Sequence, residues 1–228
     1  NGFESQEDKA RLLAIRIRDG AITAIDTDNA GGPDPLAASP SGRPNGLGGV
    51  TPVYDAQRNI VAIYAGDRHG RLWKFDLSSP SRSLWSSTRL FTATTPTGEM
   101  QTISAAPRVL RHPRGGHMIV FGTGKIFEDG DLQDQSIQTV YGVWERTPSA
   151  PAAVARSSLR QLTLVDQIEP VSGTRYRQLT GTDALNWATD LGWYFNLTSA
   201  GRANGERVIA SPTEHGGFAN VTTFEPLS

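Results

Sequence analysis

The chain has 228 residues, with 22 Lys and Arg against 23 Asp and Glu, a formal net charge of −1 and no cysteine. That balance excludes the concentrated basic face that nucleic-acid binding needs, and the missing thiols exclude disulfides, zinc-thiolate sites and cysteine nucleophiles together. No apolar run reaches the length that spans a bilayer, and 24 Gly and 14 Pro scattered between short apolar runs predict many turns in an all-β chain.

Asn1 to Ala10 is a polar entry. It lacks an initiator Met and a charged segment leading into an apolar one, so the chain reads as part of something longer, and the missing leader says nothing about compartment. Leu12 to Ile17, the turn Arg18-Asp19-Gly20, and Ala21 to Asp26 form a predicted hairpin. Thr27 to Gly49, dense in Gly, Pro, Asn and Asp, is a predicted long loop. Asp26, Asp28, Asn29 and Asp34 within or beside it offer oxygen ligands of the calcium-loop type, but Ala30 stands where a third ligand is wanted and no closing Glu follows.

Val50 to Val53, Ile60 to Tyr64 and Leu72 to Leu77 are predicted strands of one sheet. Between the last two, Asp67-Arg68-His69-Gly70 supplies turn chemistry: the Asp bonds amides ahead of it and the Gly takes positive φ. Leu90 to Ala93 begins either the fourth strand or the next blade, and Ile103 to Leu110 pairs with His117 to Gly122, Pro107 being confined to an edge, bulge or strand end. Thr139 to Trp144 follows an acidic loop. Residues 148–155 (PSAPAAVA) read as a flexible linker or insertion. Beyond them, Leu159 to Val165, Tyr176 to Leu179, Gly192 to Leu197, Arg207 to Ser211 and Phe218 to Phe224 are of strand length, and Asp183 to Leu191 is the best helical candidate.

The strand, Asp-to-Gly turn and strand of Leu12–Asp26 recur in stronger form over Ala62–Ser79, a spacing of about fifty residues that suits a propeller blade. The expected fold is a β-propeller of four-stranded antiparallel blades over residues 1–228, with strands for four to five blades. A closed ring of six or more blades needs more chain, so the propeller is either small or incomplete here.

Asp129, Asp131 and Asp134 are the best remaining metal candidates, converging if Gly130 turns the chain sharply; a solvated acidic turn is the other reading. Asp67, Asp76 and Glu206 invite an acid/base reading, although carboxylates in repeat hairpins ordinarily cap turns. His69, His112, His117 and His215 fall in or beside turns and read as surface residues. Gly122-Thr123-Gly124-Lys125 lacks the spacing of a phosphate loop and reads as a tight strand exit. Trp73, Trp144 and Trp193 are expected to wedge between blades, with an exposed sugar-stacking platform as the alternative use of one of them. No catalytic constellation is discernible, and no cofactor is expected unless one of the acidic loops takes calcium.

Five blocks stand in order along the chain: Pro44-Asn45-Gly46-Leu47; Tyr64-Ala65-Gly66-Asp67 with Gly70 and Leu72-Trp73-Lys74-Phe75-Asp76; Phe121-Gly122-Thr123-Gly124-Lys125; Gln138 to Trp144; and Gly192-Trp193-Tyr194 with Gly205-Glu206-Arg207-Val208. Together they resemble the C-terminal propeller domain of the PilC/PilY family of type IV pilus proteins. The resemblance covers most of the chain. It implies a non-catalytic domain outside the cell, at the pilus tip or outer surface, that supports pilus biogenesis, adhesion and twitching motility by binding minor pilins or a host or surface receptor through its loops. Calcium-binding members resemble EF-hand loops just before the Ala-Gly-Asp strand. Here that stretch keeps Asp55 and Asn59 but places Arg58 where the cation would sit, and no Arg-Gly-Asp tripeptide is present. The rival class is a quinone-dependent dehydrogenase, whose blades also end in Gly-x-Leu-Trp-x-x-Asp and whose cofactor needs calcium.

Overall fold

The computed structural model describes residues 10–27, 44–149 and 151–226. Of the first calcium candidate, Asp28, Asn29 and Asp34 lie outside them.

The chain opens with the hairpin β1 (Arg11–Ile15) and β2 (Ile22–Asp26). A first blade follows as an antiparallel sheet in chain order: β3 (Leu47–Tyr54), β4 (Ile60–Asp67), β5 (Arg71–Asp76) and β6 (Ser86–Thr92). The second contains β7 (Arg108–Arg111), β8 (His117–Gly122) and β9 (Gln138–Glu145), then β10 (Arg160–Gln161). The hairpin of β11 (Thr163–Ile168) and β12 (Arg175–Thr180) intervenes before β13 (Gly192–Leu197) returns to pair with β9, giving the order β10-β13-β9-β8-β7. The short hairpin β14 (Thr213–His215) and β15 (Phe218–Asn220) comes last. All these pairings are antiparallel except β10 with β13, and the sheets do not close into a ring among the described residues.

Alternation along the strands decides how these sheets stack. On β4 and β5, Ala62, Tyr64 and Leu72 face the second blade and meet Ile119, Phe121, Tyr141 and Val143 of β8 and β9 in one buried cluster. Ala65, Trp73 and Phe75 point the other way, onto Leu12 and Ile25 of the first hairpin. The second blade behaves likewise: Met118, Val120 and Trp144 turn from the first blade toward Trp187, Trp193 and Val221. Hairpin, blade, blade and C-terminal segment therefore stack in chain order, each sharing a core with the next.

The turn after β4 is built as its residues predict. Asp67 Oδ1 accepts from the Arg71 amide at 2.8 Å and Oδ2 from Trp73 Nε1 at 2.9 Å. Gly70 has φ 76° beneath two carbonyls, Gln101 O and Ala93 O, that a Cβ would meet at 2.5 and 2.8 Å.

Several expectations are corrected. Only two sheets have four or more strands among the described residues, because much of the second half forms hairpins and bridges outside the blades. Arg207 to Ser211 is not a strand: Arg207 makes one bridge to Phe224, and Phe218–Asn220 is all that forms of the last run. Asp183–Leu191 is not a helix but a three-residue 3-10 turn, Thr182–Ala184, followed by a loop that Asp190 caps through the Asn186 amide at 2.8 Å. The long loop ends earlier than expected, since Leu47 to Gly49 already belong to β3. Ile103 makes an isolated bridge, so the strand around Pro107 starts only at Arg108. Apart from these corrections, within residues 148–155 the Val154 amide donates to Leu90 O at 2.6 Å and its side chain packs on the interblade core.

Candidate inter-blade site

Two polar constructions cross the seam between the blades. The first is buried. Lys74 on β5 and Glu145 on β9 pair at 2.9 Å, Tyr64 donates to Glu145 Oε2 at 2.6 Å, and His117 Nδ1 lies 3.2 Å from the same oxygen. Lys74 also donates to Pro148 O. Burial, with help from the Glu145 charge, pushes the Tyr64 phenol far above its ordinary range. Burial also pushes the Glu145 carboxyl up, but hydrogen bonds from His117, Tyr64 and Lys74 outweigh it and hold the group below its usual value.

The second construction is an open cleft of about 790 Å³ where the loops of both blades meet. Its floor is fixed by amides: Gln101 Nε2 donates to Ile137 O and Thr139 Oγ1 at 2.7 and 2.9 Å, while its Oε1 accepts from Tyr141 at 2.9 Å. Gln138 receives Thr123 Oγ1 at 2.8 Å and donates to Ser136 at 2.9 Å. Its wall is an ion network in which Glu128 bridges Arg68 of the first blade and Lys125 of the second, and Lys125 also pairs with Asp131. Arg207, fully buried, clamps the whole loop by donating to Lys125 O at 2.9 Å, to Gly205 O at 2.8 Å and to Asp134 O. The strand exit Gly122-Thr123-Gly124-Lys125 feeds this loop, with Gly124 at φ 135°.

These contacts place each candidate residue. Asp131 takes the Lys125 ammonium and the Glu128 amide at 2.9 Å; Asp134 caps the Ser136 amide at 2.8 Å; Asp129 lines the cleft separately. The three do not converge, and among the described residues no group of three or more His, Cys, Asp or Glu could hold a metal ion. Asp55 and Asn59 bind each other: Asp55 accepts the Gln57 and Asn59 amides at 2.9 and 2.8 Å and Asn59 Nδ2 at 3.0 Å. Asp26 pairs with Arg11 at 2.5 Å. Asp76 caps the Ser78 amide at 2.9 Å, and Glu206 is held bidentately by Arg177 at 2.5 and 2.6 Å, so these two and Asp67 serve separate partners.

The histidines depart from the surface expectation. His69 is 3% exposed beside the cleft, and His112 is buried, stacked on Trp144 at 4.1 Å with Trp187 on its edge at 4.5 Å. His117 is part-buried in the Glu145 network; only His215 stands exposed. Trp73 does wedge between hairpin and blade, Trp144 lies between the second blade and Trp187, and Trp193 lies across Gly142 beside Phe195. Sequence reasoning missed Lys74, Glu145, Arg68 and Gln101 as cross-blade groups and Arg207 as the clamp of the loop after β8. Lys74 and Glu145 alone carried a signal, a charged residue among core positions of a strand.

Sheets stacked in chain order and bonded across one seam define a stretch of a β-propeller domain. The model of the PilY1 beta-propeller domain matches residues 2–172, and the chain belongs to that family. It is 31% identical over 264 residues to the type IV pilus biogenesis factor PilY1 of Pseudomonas aeruginosa strain PAO1, covering 99% of this chain and 22% of that protein. A PilY1 homologue of Xylella fastidiosa strain Temecula1 is 33% identical over 230 residues, covering 99% and 17%. The crystal structure of the Pseudomonas aeruginosa PilY1 C-terminal domain matches with a TM-score of 0.78 at 28% identity, over 99% of this chain and 52% of that one. The chain thus spans about a fifth of these relatives and about half of the solved domain.

Proposed function

We propose that the chain is a non-catalytic part of a type IV pilus biogenesis factor, working outside the cell at the pilus tip or outer surface. Its cleft loops bind pilus subunits during assembly, and through them support adhesion and twitching motility. The observation that carries the reading is the cleft itself, whose walls are held by side chains of both blades in a family named for pilus biogenesis. A surface ordered by folding suits docking, because little further freedom is lost on contact. Propeller loops are also where such folds carry their contacts.

Purified minor pilins passed over the immobilised full chain test this. Saturable retention is expected, and none by a correctly folded chain overturns it. Dye reduction on adding quinone and calcium would overturn the non-catalytic part.

A further inference from the structure

The cleft carries more specific information about its occupant. Its lining holds two cations, Arg68 and Lys125, against five carboxylates. Both cations are neutralised inside the chain by Glu128 and Asp131. Glu99, from the first blade's side, and Asp129, from the second's, line the same cleft, and neither carboxylate has an ion-pair or hydrogen-bond partner among the described residues. The loop that contributes Asp129 also exposes Ile126, Phe127 and Leu132 at 46%, 41% and 46%. These large apolar side chains stand on backbone that Arg207 and the ion network hold in place. Preformed apolar contact beside uncompensated charge is the make-up of a protein-docking surface.

Resting on the reading above, we propose that the cleft takes a basic segment of the partner protein. One or more Lys or Arg side chains enter between Glu99 and Asp129, and flanking apolar residues pack on Ile126, Phe127 and Leu132. Charge complementarity selects this occupant: an acidic segment meets an excess of carboxylate, and a nucleic acid does so more strongly. A bare cation finds no converging ligands among the described residues.

The test uses the full chain and a labelled peptide of alternating Lys and Leu, with Glu in place of Lys as control, read by fluorescence anisotropy. The Lys peptide is expected to bind saturably and to weaken as salt rises. The double substitution E99Q/D129N is expected to reduce its affinity roughly tenfold, as is I126S/L132S. Since Glu99 and Asp129 are exposed, an unchanged unfolding midpoint serves as the folding control. Equal binding of the Glu peptide, or unchanged binding by E99Q/D129N, overturns the proposal. The two readings fail separately. Minor pilins retained equally by the parent and E99Q/D129N sink the basic-segment proposal alone; minor pilins retained by neither, with the Lys peptide still bound selectively, sink the pilus-subunit reading alone.

Discussion

The Lys74 ammonium on β5 and the Glu145 carboxylate on β9 meet at 2.9 Å with only 4% and 3% of their side chains exposed, so a buried ion pair bolts one blade to the next. It sits at the end of the apolar seam, where Tyr64 supplies a further bond to the same carboxylate. The pair fixes how the blades meet, and that in turn sets the cleft loops against each other.

Removing one partner should therefore cost more than removing both. Lys74→Met leaves Glu145 buried without its cation and should destabilise the chain by about 3–5 kcal/mol, and Glu145→Leu, which leaves Lys74 buried without its anion, should cost about as much. The loss in the double variant should be well below the sum of the two single losses. Urea unfolding of the four-member cycle measures this coupling, and additive losses would show the pair to be incidental.

The Glu145 carboxyl is held below its ordinary value of 4.5 in the folded chain. A depressed folded value means that its contribution is complete above the unfolded pKa and is lost as pH falls toward the folded one. The unfolding midpoint should drop below about pH 4.5, and Glu145→Gln should flatten that slope while lowering the midpoint at neutral pH. Thermal scans across pH 3 to 7 check it; an unchanged slope would remove Glu145 from the account.

Gly66 on β4 lies under Ile103, whose Cγ2 a new Cβ would meet at 2.1 Å. Gly66→Ala should cost about 1–3 kcal/mol through overpacking. Ile103→Ala removes that Cγ2 but leaves the Cβ and carbonyl oxygen of residue 103, which the new Cβ would meet at 2.2 and 2.8 Å, so adding it should not recover the loss. Chemical denaturation of the single and double variants reads the coupling.

The hairpin turn at Asp55 is closed by its own bonds, with Arg58 at φ 66° in the corner that favours glycine. Arg58→Gly should stabilise the chain by up to about 1 kcal/mol, and Asp55→Ala should cost about as much. Since the Asp55 carboxylate already has three partners, adding calcium or a chelator should leave the unfolding midpoint unmoved.

What could be read beforehand was what is local. The Asp67 to Gly70 turn, the alternation along Ile60–Asp76 and the five ordered blocks need only neighbouring residues, and they led to the propeller class. Lys74 and Glu145 are 71 positions apart and Arg207 reaches Lys125 across 82, so nothing in their own surroundings announces a partner. The later apolar runs were misjudged for a related reason. Arg207 to Ser211 has strand composition, but its neighbours leave it one bridge and turn its Arg inward as a clamp. His112 reads as a turn residue because only the fold brings Trp187 against it.

Amide hydrogen exchange of the full chain, with and without purified minor pilins, tests the central claim most directly. Protection confined to the loops at residues 95–101 and 125–138, which form the two walls of the cleft, is the predicted result. Protection elsewhere with these loops unchanged, or no protection at saturating pilin, would contradict the account.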